Sequence, residues 1–139
     1  MDLQKLDLTS LEKAIASLNE AVAEYTKQSS NKFIRDAAIQ RFEYTYELDH
    51  KMLKRYLSLT EPSAEEIDQM SFPDMIRTSS ERGLLLHGWD IWKDYRHARN
   101  ATSHTYNEKK ADEVYSIIPR FLTESKYLLS ELKKRVTQG

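Results

Sequence analysis

Apolar residues along this chain recur mostly at steps of three and four rather than in strict alternation, a pattern of amphipathic helices and not of strands. Leu11, Ala14, Ile15, Leu18, Val22 and Tyr25 line one face of a first helix. It opens with Thr9-Ser10-Leu11-Glu12, a capping-box pattern in which the Thr9 hydroxyl and the Glu12 carboxylate would satisfy otherwise unpaired backbone N–H groups. The polar run Gln28-Ser29-Ser30-Asn31 predicts a turn. A long second helix follows from about Lys32 to Leu59, with Ile34, Ala38, Phe42, Leu48, Met52 and Leu53 available for burial, and Glu61-Pro62-Ser63 ends it. A short helical piece is expected from Ser63 to Met70. Ser71 then caps a third main helix, with Pro73 in its first turn and Gly83 near its end. After Gly88 a fourth helix carries Trp89, Ile91, Trp92 and Tyr95. The fifth, from about Lys109 to Val136, presents Val114, Ile117, Ile118, Phe121, Leu122, Leu128, Leu129 and Leu132 as a broad apolar face. Pro119 lies inside it, and a lost backbone donor there predicts a kink rather than a stop.

These elements add up to an all-α chain, an antiparallel four- to five-helix bundle of up-and-down type. No 20–50-residue repeat and no internal linker divides it, so residues 1–139 read as a single domain. A chain of this length buries roughly two-thirds of the surface its unfolded form exposes, enough for one ordinary core. Cysteine is absent, which excludes disulfides, thiolate metal sites and a thiol nucleophile. With 21 Lys and Arg against 22 Asp and Glu the net charge is −1, so the whole-molecule field offers no general attraction to nucleic acid. Any contact with a polyanion must be local. The chain starts without a basic leader ahead of an apolar run, and no stretch approaches the length of a membrane span, so the expected location is the cytoplasm, with no membrane partner.

The segment Gly88 to Tyr106, GWDIWKDYRHARNATSHTY, concentrates the chemistry: two Trp, two Tyr, two His, two Arg and one Lys in 19 positions. Trp92, Tyr95, Arg99, Thr102 and Tyr106 share a helical face if the helix runs that far. His104 follows Arg99 by five residues, about 140° round an ideal helix, so the two converge on one small target only if the helix ends or bends near Thr102-Ser103. In a two-fold dimer, alternatively, the same segment from each copy would meet across one cleft. The residue types suit RNA cleavage without a metal. An imidazole can take the proton of a ribose 2′-hydroxyl or give one to the leaving oxygen, while a guanidinium holds the phosphate as charge develops. Asn100 would position the same phosphate or brace the arginine. The plainer reading has Arg99 on the last carbonyls of the fourth helix, His104 in a loop and Tyr106 closing the core.

Three further features admit two readings each. Glu47-x2-His50 has the spacing of a di-iron ligand pair and Asp94-x2-His97 imitates it, but such sites need two Glu-x2-His pairs and two more Glu, so solvated or capping roles are the expectation, with no metal site. Trp89, Trp92 and Tyr95 suit base stacking or, more ordinarily, a core or dimer interface. Between Gly88 and Lys110 five Lys and Arg face three Asp and Glu, a mild positive bias that would guide RNA without holding it tightly. The Lys133-Lys134-Arg135 run suits the C-terminal end of a helix.

Arg99-Asn100-x3-His104-x-Tyr106 resembles the Arg-x4-6-His motif of the HEPN superfamily, in the Arg-x4-His-x-Tyr form of its HepT-like members. The run IQRFEYTYEL from Ile39 to Leu48, followed by Lys51-Met52-Leu53-Lys54-Arg55-Tyr56-Leu57, is similar to the second helix of the nucleotidyltransferase substrate-binding proteins, a neighbouring branch. The resemblance covers roughly residues 8 to 136. It departs at Asp49-His50, where a small residue and then an aromatic are the family pattern, which leaves the local packing of the second helix open.

The resemblance implies a homodimer working beside a separately encoded minimal nucleotidyltransferase. In one form the chain is a metal-independent endoribonuclease toxin, with Arg99 and His104 catalytic, Asn100 supporting, and the partner silencing it by AMP transfer to Tyr106. In the other it is a non-catalytic subunit that presents a substrate to the nucleotidyltransferase. A phenol with a free pKa of about 10 is a poor nucleophile, so transfer to Tyr106 needs the partner's active site. The chain is not itself such a transferase: it has no Gly-Ser dipeptide and no Asp-x-Asp. Neither form calls for a bound cofactor.

Overall fold

A computed structural model describes residue 3 and residues 6–138. Six α-helices follow one another: α1 (Thr9–Lys27), α2 (Lys32–Thr60), α3 (Ala64–Gln69), α4 (Phe72–Glu81), α5 (Trp89–Ala101) and α6 (Glu108–Gln138), with one 3₁₀ turn (Thr102–His104) between the last two. There is no strand among the described residues.

Local signals set most of these boundaries. The Asn31 side chain accepts from the N–H groups of Phe33 and Ile34 and starts α2. Ser63 accepts from Glu66 N–H to start α3, and Ser71 from Asp74 N–H to start α4. Gly83, at φ +78°, takes the left-handed conformation beyond the end of α4, where a side chain would be strained. The start of α1 differs from the capping-box expectation. Thr9 is already helical, and no side chain caps the preceding Leu8. Asp7 accepts the Thr9 N–H at 2.9 Å instead, while Glu12 reaches across to Lys133 at 3.2 Å. A carboxylate two residues upstream supplied the acceptor, and the Glu12 side chain went to a tertiary partner. The last helix is continuous through Pro119, whose ring faces outward.

Four long helices make the bundle. The partners Glu12–Lys133 and Asn19–Lys126 run α1 antiparallel to α6. Arg35 with Asp112, Asp49 with Ser125 and Tyr56 with Arg135 run α2 parallel to α6. α5 returns antiparallel to α6 through the Thr102–Asn107 connection, which gives the expected up-and-down order, while α3 and α4 flank the bundle. Phe42, Trp92, Tyr95 and Phe121 form its centre, all essentially inaccessible, with Phe121 edge-on to Phe42 and Tyr95 at 5.0 and 5.5 Å. Trp92 and Tyr95 are thus core residues and offer no face for stacking a base. Edge-to-face pairs of this kind are worth roughly 0.5–1.5 kcal/mol beyond their buried area.

Polar residues also enter the interior. Arg35, nearly inaccessible, donates to Asp36, Glu108 and Asp112, tying the start of α2 to the start of α6; these bonds raise its pKa above the usual arginine range. Asp49, the departure from the family pattern, is fully buried on the α6 side of α2 and accepts from Ser125 Oγ at 2.7 Å. Burial pushes its carboxyl well above the ordinary range and favours the neutral acid. Next to it in the seam, the fully buried Glu124 accepts the Leu86 N–H at 2.6 Å and binds His87 Nδ1 at 2.9 Å. The second helix therefore packs around Asp49 through a hydrogen bond to α6, where a small residue would have left contact alone.

Candidate functional site

The end of α5 is built by one threonine. Thr102 Oγ1 donates to the carbonyl of Arg99 at 2.8 Å and accepts from Arg99 Nη1 at 3.2 Å. It thus adds a second donor to a carbonyl that already accepts the Thr102 backbone N–H and fastens the guanidinium of the residue one turn earlier. Thr105 Oγ1 donates to the Thr102 carbonyl, and Asn107 N–H to the His104 carbonyl. Asn107 Oδ1 then accepts the Lys110 N–H and opens α6. The chain therefore leaves its helical path between Arg99 and His104, the condition under which the two can approach one target.

From α2, Glu47 Oε1 accepts the Arg99 Nε–H at 3.0 Å. Two of the guanidinium's five N–H groups are thereby used, and the others remain for a ligand. The side chains of the pair are 30% and 55% exposed, and an ion pair in such a setting contributes about 0.2–1 kcal/mol. A phosphate offering two charged oxygens competes with it readily. Beside Arg99 a shallow depression of about 300 Å³ is lined by Gln40, Glu43, Tyr44 and Glu47.

His104 is exposed on the 3₁₀ turn and stands edge-on to Tyr106, ring centres 6.5 Å apart. Tyr106 is 86% exposed, the reverse of a tyrosine closing the core, and it has left the helical face it shares with Trp92 and Arg99 in an uninterrupted helix. Asn100 is also exposed. Among the described residues its side chain makes no hydrogen bond; Glu47 and Thr102 brace Arg99. The fold thus joins Arg99 to Glu47 and Thr102, and His104 to Tyr106. No hydrogen bond or ion pair among the described residues joins Arg99 to His104 within one copy.

Reading along the chain singles out Glu47 only for its Glu-x2-His spacing with His50, with a solvated or capping role as the expectation, and does not pair it with Arg99. In the fold Glu47 turns to Arg99, whereas His50 packs edge-on against Phe72 at 4.8 Å. Among the described residues no group of three or more His, Cys, Asp or Glu is placed to hold a metal ion. No described helix is long and apolar enough to cross a membrane.

An all-helical bundle that carries an arginine in the last turn of its fifth helix and exposes a histidine and a tyrosine beyond it matches one family model, described as nucleotidyltransferase substrate binding protein like, over residues 6–134. The chain belongs to that family. It is 36% identical over 143 residues to a Haemophilus influenzae protein named probable ribonuclease HepT, with 97% of each chain covered. It also superimposes with a TM-score of 0.86 on a solved Haemophilus influenzae structure, described as the fold of a substrate binding domain of a nucleotidyltransferase. That pair is 35% identical, covering 91% of this chain and 99% of the other.

Proposed function

We propose that this chain is a HepT-like metal-independent endoribonuclease, a toxin that works beside a separately encoded minimal nucleotidyltransferase and is neutralised by AMP transfer to Tyr106. The observation that carries the reading is the helix break at Thr102, which leaves Arg99, His104 and Tyr106 accessible on one short stretch of chain. The relationship to a protein named probable ribonuclease HepT supports it.

Arg99 receives the scissile phosphate on its uncommitted N–H groups. His104 takes the proton of the adjacent 2′-hydroxyl, the 2′-oxygen–phosphorus bond forms, and the bond from phosphorus to the 5′-oxygen breaks, leaving a cyclic phosphate. The 5′-oxygen is protonated by solvent or by a second imidazole. A two-fold homodimer that juxtaposes the two copies of the motif supplies that second group and brings an Arg99 to a His104 across the axis. The partner uses Tyr106 as acceptor: its phenolic oxygen attacks the α-phosphorus of ATP and pyrophosphate leaves.

A second reading, a non-catalytic subunit presenting substrate to the nucleotidyltransferase, is favoured by one feature, the Glu47 carboxylate already on Arg99. Cleavage of single-stranded or transfer RNA in the presence of chelator, lost in both Arg99→Ala and His104→Ala, supports the nuclease. No cleavage by unmodified protein at high concentration supports the subunit. Intact mass after co-expression with the nucleotidyltransferase tests the acceptor: added AMP in the wild type, absent in Tyr106→Phe.

A further inference from the structure

Arg96 lies one turn before Arg99 on α5, and its side chain is exposed. Its guanidinium carbon stands 5.4 Å from the centre of the Phe72 ring and 6.0 Å from that of Trp89. The two rings pack edge to face at 6.0 Å, and His50 backs Phe72 from α2. Trp89 is a platform for the cation here. Among the described residues Arg96 has no carboxylate within 4 Å and makes no hydrogen bond.

An arginine in this setting is a prepared anion receptor. Contact with aromatic faces limits the rotamers of the long side chain, and the N–H edges stay open to solvent. Residues three apart on a helix have Cβ atoms about 5–6 Å apart, so Arg96 and Arg99 can address neighbouring phosphates of one extended strand. Both cations are close enough to the Tyr46 phenol to act on it electrostatically. The His50 imidazole is held below its usual pKa, by desolvation first and then by Lys54 and Arg96, against the pull of Glu47. It adds no competing positive charge at neutral pH.

We propose that Arg96, seated over Phe72 and Trp89, is a second phosphate-binding position for single-stranded RNA and receives the phosphodiester next to the one at Arg99. The proposal rests on the nuclease reading and assigns its substrate an extended strand that contacts at least two phosphates per copy. Arg96 is a binding residue for the flanking nucleotide and takes no part in bond breaking.

The test compares wild type, Arg96→Gln and Arg96→Lys, with chelator present, on two substrates. One is an oligoribonucleotide that the wild type cuts; the other is the dinucleoside monophosphate of the cleaved step, which has a single phosphate. Arg96→Gln is expected to raise KM for the oligonucleotide roughly ten-fold, as for one lost charge-assisted hydrogen bond, with kcat and the dinucleotide reaction unchanged. The salt dependence of log KM should fall by about 0.7, one phosphate contact on a single strand. Arg96→Lys should recover part of the loss. Thermal unfolding of each variant should move by only a few degrees, since among the described residues Arg96 makes no hydrogen bond or ion pair and only its contact with the two rings is lost. Equal effects on both substrates, no effect on either, or weakening confined to the complex with the nucleotidyltransferase would overturn the subsite while leaving the nuclease intact. A wild type that cuts neither substrate overturns both together.

Discussion

Glu47 and Asp49 stand two residues apart on α2 and meet opposite surroundings. Glu47 faces the open α2–α5 groove, where it holds Arg99 in a pair that solvent reaches from both sides. Asp49 faces the α2–α6 seam, sealed from water; among the described residues Ser125 is its one hydrogen-bond partner and its second oxygen is unpaired. In the seam a carboxyl is costly to place and costly to remove, because its desolvation is already incurred and the neighbouring donors have no substitute. In the groove, charged groups exchange partners at little cost. The groove therefore suits ligand binding and the seam suits holding helices in register, although both are polar and both lie along the same helix.

The largest effect expected from this division is on activity without stability. Arg99→Ala or His104→Ala should lower RNA cleavage about 10²- to 10⁴-fold while thermal unfolding moves little, because neither side chain is in the core. A variant that melts early and loses activity in proportion to the folded fraction would erase the distinction. The reverse is expected in the seam. Glu124→Ala strands the Leu86 N–H and removes the partner of His87, and should cost about 3 kcal/mol, read by chemical denaturation.

Asp49 sharpens the comparison through pH. It binds its proton more tightly in the folded chain than in the unfolded one, so the stability it contributes is complete below its unfolded value of 3.8 and is lost as pH rises through the raised folded value. Between the two the slope contributed is at most about 1.4 kcal/mol per pH unit. Asp49→Asn should remove that component from a plot of unfolding free energy against pH. The smallest effect belongs to Glu47→Gln, which keeps an acceptor for Arg99 but removes the charge. Stability should change by less than about 1 kcal/mol, and RNA binding, followed by fluorescence anisotropy, should tighten a few-fold. A large loss of stability would place Glu47 with Asp49.

The segment that carries the family resemblance turns out to hold the bundle as well as the site. In IQRFEYTYEL, Phe42 and Tyr46 enter the core, Arg41 and Tyr44 bind Ser17 of α1, Thr45 binds the Arg41 carbonyl, and Glu47 reaches Arg99. The helical spacing of Phe42 and Tyr46 is readable along the chain. The partner of Glu47 is not, because it lies 52 residues away.

The helices, their order, and the cap at Ser71 follow from the chain alone, since each depends on residues within a turn or two of one another; the caps at Asn31 and Ser63 are equally local, but along the chain those residues read only as a turn and a helix boundary. The Arg99, His104 and Tyr106 candidates were visible for the same reason, as a spacing within one segment. Which carboxylate is buried and which is exposed, which arginine is braced and which rests on aromatic rings, and where Tyr106 points depended on helices brought together from distant parts of the sequence. Those outcomes are set by the water excluded when the helices pack, and no local pattern of residues encodes that exclusion.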